Sequence, residues 1–204
     1  MKQIEISINI EIFLFIILFI FTRRILIYVI FIVFTLVHEL AHMIVGIALG
    51  LTPKKLNVMP FGFKVSFVEE KISRKKEMIV YLAGPLINLI FAVLAWIFNL
   101  HMNIIYTNLI IAVFNLIPIY PLDGGRILKI YLSKKYQKIK LQEIINKISN
   151  ITIISLTLLT SILILYVRNL AIVCALAYLW YIVIRENKKY KITKRVYEII
   201  DDNI

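Results

Sequence analysis

Long apolar runs decide what this chain can fold into. Six stand out, over residues 8–21, 25–51, 79–100, 103–119, 151–167 and 170–184. A helix needs about 20 mostly apolar residues to cross a bilayer core, and several blocks approach that length. Hydrophobic residues make up 61% of the 204, against roughly 45–50% in soluble domains. The expected fold class is all-α polytopic membrane protein, with about six transmembrane helices. Glu11 interrupts the first block, and Lys2 before it suggests a signal-peptide core. Thr22-Arg23-Arg24 follow where a small-residue cleavage site would belong. The block therefore reads as a first membrane helix.

Charge orients these helices. The net charge is +12. If the blocks alternate in direction, every Lys and Arg except Arg23, Arg24 and Arg168 falls on one side. The positive-inside rule makes that side the cytosol. The expected location is the cell membrane, multi-pass, with both termini cytosolic. The basic excess is explained by topology, so no nucleic-acid partner is expected. Cys174 is the single cysteine and lies in an apolar run, which rules out a disulfide within the chain and suits a small buried side chain.

Between the second and third blocks, "KKLNVMPFGFKVSFVEEK" alternates polar and apolar residues on both sides of Pro60-Phe61-Gly62. That pattern predicts a short cytosolic-side β-hairpin, whose backbone could pair with an extended peptide. Residues 126–150 carry Ile139, Leu141, Ile144, Ile145 and Ile148 at helical spacing among lysines, predicting a cytosolic surface helix. Residues 1–185 are expected to form the membrane domain and 186–204 a short cytosolic tail.

One apolar run carries costly passengers. "FTLVHELAHMIVGIALG", residues 34–50, contains His38, Glu39 and His42. A charged group at the centre of a membrane helix costs about 2.5–3.5 kcal/mol on insertion scales. Residues i and i+4 share a helix face, so both imidazoles can reach one Zn²⁺ ion. Glu39 is angled off that row and can take a proton from water that zinc acidifies. Two of the three histidines fall in this motif; His101 reads as interfacial.

Zinc needs a third protein ligand. Glu69 and Glu70 sit among lysines, and Glu11 lies near a helix end. Asp123 has the informative setting, "FNLIPIYPLDGGRIL", where Pro118 and Pro121 break the fourth helix and Gly124-Gly125 permit a tight turn. Irregular backbone at membrane depth points to a lined cavity or binding site. Depth agrees. His42 is about 12 Å above the cytosolic end of its span at 1.5 Å per residue, and Asp123 ends the fourth span on the same side. In "YLAGPLINLI", Gly84 and Pro85 read as packing positions, and Asn88 needs a hydrogen-bond partner.

Together, His38-Glu39-Leu40-Ala41-His42, then Ala83-Gly84-Pro85 with Asn88, then Asn115-Leu116-Ile117-Pro118 through Pro121-Leu122-Asp123-Gly124-Gly125, resemble the site-2 protease family of intramembrane zinc metalloproteases. The resemblance implies one Zn²⁺ held by His38, His42 and Asp123, with Glu39 as general acid/base. It implies that Asn115 and the segment with Pro118 and Pro121 position the scissile peptide, a role extended to Asn88. The plan without a PDZ insertion is most similar to the stage IV sporulation branch, whose members release a sigma factor from a membrane-associated precursor. The implied function is cleavage of a membrane-tethered regulatory protein near the cytosolic face, with an inhibitory membrane partner as a further expectation. No CBS domain is expected in these residues. The alternatives are a non-catalytic membrane scaffold and a metal transporter, but blocks five and six offer a transporter few polar groups.

Overall fold

A computed structural model describes residues 5–8, 25–59, 62–67, 73–167 and 170–201. Most of the first apolar block lies outside these residues, as do Glu11, Glu69, Glu70 and Pro60-Phe61. The chain divides into two compact units, Met1–Asn115 and Leu116–Ile204. Among the described residues there are six helices, three of them long and apolar enough to cross a membrane by length and composition.

The first unit contains helices α1 (Ile25–Ala48), α2 (Arg74–Ile97) and all but the last residue of α3 (Met102–Leu116). It also holds strands β1 (Glu5–Ile8), β2 (Pro53–Met59) and β3 (Gly62–Phe67), in the order β1-β2-β3. β2 and β3 pair antiparallel, with Met59 opposite Gly62. β1 joins β2 in parallel, Glu5 opposite Lys55. The hydropathy pattern did not anticipate β1, because four residues are too few to stand out from the apolar block beside them.

α1 and α2 pack against each other with their polarity reversed relative to soluble helices. On α1, Val29, Val33, Leu40, Ile44 and Ile47 face outward, while Thr35, His38 and His42 are buried. On α2, Ile79, Leu86, Ile90 and Val93 face outward, and Val80, Gly84, Asn88 and Ala92 repeat every four residues on the buried side. Small residues at helical spacing let two backbones approach closely, and polar groups then find partners across the seam. An apolar exterior suits lipid, where the ordinary cost of exposed hydrophobic surface disappears.

The second unit opens on a broken segment. α3 stops at Leu116, two residues before Pro118, in line with the bias of a pre-proline residue against helical geometry. A chain turn follows, with Ile119 fully buried, the N–H of Leu122 donating to Ile119 O at 2.8 Å, and the N–H of Tyr120 donating to Ser149 Oγ at 3.1 Å. Helix α4 (Asp123–Leu132) then begins. Gly124 and Gly125 serve close approach here, not the tight turn their sequence suggested. Both lie inside the first turn of α4, and a Cβ on Gly125 would stand 2.5 Å from the backbone of Ile119 and Tyr120.

Helix α5 (Lys138–Val167) joins the second half of the lysine-rich stretch to the fifth apolar block without interruption. The separate surface helix expected over 126–150 is therefore divided between α4 and α5. No Gly or Pro occurs from Lys138 to Val167, and exposed lysines do not stop helical hydrogen bonding. α6 (Leu170–Asp201) packs on α5, with Trp180 Nε1 donating to Thr157 Oγ1 at 3.0 Å and Asn187 Nδ2 to Asn150 Oδ1 at 2.7 Å. It continues as helix through Glu186.

Gly125→Ala should destabilise the chain by about 1–3 kcal/mol through overpacking, seen as a lower thermal midpoint in detergent. Ordinary helix propensity would instead raise stability by about 1 kcal/mol, so the sign of the change decides the role.

Candidate metal centre

The two histidines expected from helical spacing meet on the buried face of α1. His38 is 2% exposed and His42 5%. Their Nε2 atoms are 3.1 Å apart, and their rings stand edge to face at 83° with centroids 4.8 Å apart. α2 holds both rings from behind. His42 Nδ1 donates to Val80 O at 2.6 Å. His38 Nδ1 lies 2.6 Å from Asn88 Oδ1.

These contacts define what the pair can bind. A backbone carbonyl only accepts, so His42 must carry its proton on Nδ1. Asn88 Oδ1 asks the same of His38. Each neutral ring then presents an Nε2 lone pair toward the other. Two lone pairs at that distance repel unless something positive lies with them, and any proton shared between them would make the pair cationic. A metal cation bound at both Nε2 atoms resolves the conflict without that proton. The buried partner on the second ring nitrogen is the usual orienting device for metal-ligating histidine.

Gly84 completes the pocket. A Cβ there would collide with His42 Nε2 and stand 2.5 Å from His38 Nε2. The face of α2 opposite the two lone pairs is thus kept bare. The sequence reading made Gly84 a packing residue; its close approach is to the imidazoles themselves, a relation that local pattern does not carry. Val80 was also missed, because a backbone acceptor leaves no side-chain signal. Glu39 follows His38 and is half-buried. His101 is exposed and accepts the Asn103 N–H at 3.1 Å, outside this cluster.

In the second unit, Asp123 is the first residue of α4 and is 9% exposed. The carboxylate end of the candidate set thus belongs to a helix N-terminus, where negative charge is favoured. Arg126 Nε donates to Pro121 O at 2.8 Å and helps hold the broken segment. Pro118 is exposed, Pro121 half-buried, and the Tyr120-Pro121 bond is cis. Asn115, the last residue of the first unit, donates to Ile111 O at 3.0 Å. Asn88, expected at the substrate, has its amide engaged with protein groups.

Comparison with known proteins decides the family. The model of peptidase family M50 matches residues 26–104 and 98–159. The chain belongs to peptidase family M50. This M50 chain is similar in structure to the site-2 protease from Methanocaldococcus jannaschii, with a TM-score of 0.66 and 27% identity, covering 91% of this chain and 92% of that one. It is 34% identical to a zinc metalloprotease of Methanocaldococcus jannaschii over 125 residues, 56% of this chain and 36% of that protein. It is 36% identical to stage IV sporulation protein FB of Bacillus subtilis over 110 residues, 49% of this chain and 38% of that protein. The matched regions span little more than a third of those two relatives.

Gly84→Ala tests the pocket. The added methyl should abolish retention of zinc through purification while leaving helical circular dichroism at the native level. Elemental analysis of the purified full chain reads the first and spectroscopy the second.

Proposed function

We propose that this chain is an intramembrane zinc endopeptidase that cuts a membrane-tethered regulatory protein near the cytosolic face. The observation that carries the reading is the pair of converging Nε2 lone pairs on a helix apolar enough to span a membrane, in a member of a peptidase family. His38, His42 and Asp123 each offer a buried ligand atom, and two imidazoles with one carboxylate form a donor set suited to catalytic zinc. The proposed topology is multi-pass with both termini in the cytosol, supported by the one-sided Lys and Arg distribution.

Bound zinc would supply Lewis acidity, polarising the scissile carbonyl and acidifying water. The protein's own groups supply the rest. His38 and His42 hold their Nδ1 protons toward Asn88 and Val80 throughout, so both Nε2 atoms remain ligands. The Glu39 carboxylate takes a proton from the attacking water as its oxygen bonds to the carbonyl carbon. The carbon–nitrogen bond then breaks, and Glu39 returns that proton to the departing amide nitrogen. Asn115 and the Pro118–Pro121 segment are assigned to orienting the extended peptide. The buried setting limits competing water.

Similarity to a sporulation protein favours a membrane-associated regulatory precursor, such as that of a sigma factor, as substrate. An inhibitory membrane partner would fit the same logic of regulated release.

The test is co-expression of the native chain and Glu39→Gln with candidate membrane-bound precursors. The variant should retain one zinc per chain and lose about 10²–10⁴-fold in cleavage rate, the usual worth of a general base. Undiminished cleavage by Glu39→Gln would overturn the assignment.

A further inference from the structure

His38 needs a specific tautomer, and a side-chain amide alone does not guarantee it. An Asn can turn either its oxygen or its NH₂ toward a neighbour. If Asn88 flipped, it would donate to His38 Nδ1, moving the ring proton to Nε2 and blocking metal ligation. Something must hold the Asn88 amide one way round.

A chain of buried amides across three helices does this. Asn88 Nδ2 on α2 donates to Asn108 Oδ1 on α3 at 2.9 Å. It also lies 3.5 Å from Phe34 O on α1. Asn108 Nδ2 donates to Ile104 O, one turn back on its own helix, at 2.9 Å. Both asparagines are 0% exposed, so no solvent can substitute for a lost partner.

The polarity is set from the far end. Ile104 O can only accept, so Asn108 must turn its NH₂ inward to its own helix and its oxygen outward to α2. That oxygen can only accept, and so can Phe34 O, so both N–H groups of Asn88 are drawn away from His38. Its oxygen is left facing Nδ1. Reversing Asn88 would put oxygen against two oxygens and leave buried donors misdirected.

We propose that Asn108 is a positioning residue that fixes the metal-binding tautomer of His38 through Asn88. The inference rests on the zinc reading above and assigns Asn88 to the histidine instead of to substrate. His42 takes its proton direction straight from Val80 O and does not depend on this chain, which makes it an internal control.

The experiment uses the full chain in detergent: native, Asn108→Leu and Asn108→Asp. Leucine keeps the size and removes the acceptor. A buried aspartic acid kept neutral can still accept from Asn88 and donate to Ile104 O. Two readouts are taken: zinc affinity by chelator competition, and ¹⁵N signals of the histidine ring nitrogens in the zinc-stripped chain. Asn108→Leu should bind zinc about 10–100-fold more weakly, the usual effect of losing an outer partner. It should also show mixed tautomers at His38 with His42 unchanged, and Asn108→Asp should restore both. If Asn108→Leu does not fold, Asn108→Ala removes the same oxygen.

A native His38 protonated at Nε2 overturns the proposal. So does an Asn108 variant, stripped of its acceptor, in which His38 keeps the native signals. A merely structural Asn108 would lower stability without moving them. A native chain that binds no zinc would instead defeat the zinc reading, while the ring signals would still judge the amide chain.

Discussion

The candidate metal centre rests on two imidazole nitrogens held 3.1 Å apart with their lone pairs facing. Water would relax such a pair; here both rings are buried and each is tied at its other nitrogen. The arrangement needs positive charge, and its neighbours leave room for it, since Gly84 offers no side chain on that side. This answers why a membrane helix carries ionisable groups at a cost of a few kcal/mol. The imidazoles face a protein seam, and the same seam supplies the acceptors that fix the Nδ1 proton and the orientation of each ring.

The surrounding fold follows from building such a seam in lipid. Helices α1 and α2 turn branched aliphatic residues outward and keep small or polar residues between them. Lipid removes the hydrophobic drive to pair, so close contact and interhelical hydrogen bonds must hold the two together. Val80, Gly84 and Asn88 contribute respectively an acceptor, a bare backbone and an oriented amide. They do so from one face because they recur every four residues. In the second unit, glycines at the start of α4 play a comparable geometric role toward the backbone of residues 116–120.

Much of this was legible in the residues. His38 and His42 at i and i+4 predict a shared helix face, because helical periodicity alone decides it. Pro118 marks the end of α3 for an equally local reason. The roles of Gly84 and Asn88 were only half legible. An amide in an apolar run must find a partner, but that partner lies 50 residues away, and no local pattern names it. Asn108 is likewise an amide inside an apolar block, but Asn103 and Asn115 share that block and no local pattern singles it out. The continuous α5 was missed because a change from lysine-rich to apolar composition looks like a boundary. Composition reports the solvent a helix meets, whereas Gly, Pro and capping groups decide where it stops.

X-ray absorption at the zinc edge of the metal-loaded full chain tests the central claim most directly. The account predicts two imidazole nitrogens at about 2.0–2.1 Å and oxygen ligation in a low-coordinate shell. A spectrum with fewer than two imidazoles, or a six-coordinate all-oxygen shell, would contradict it.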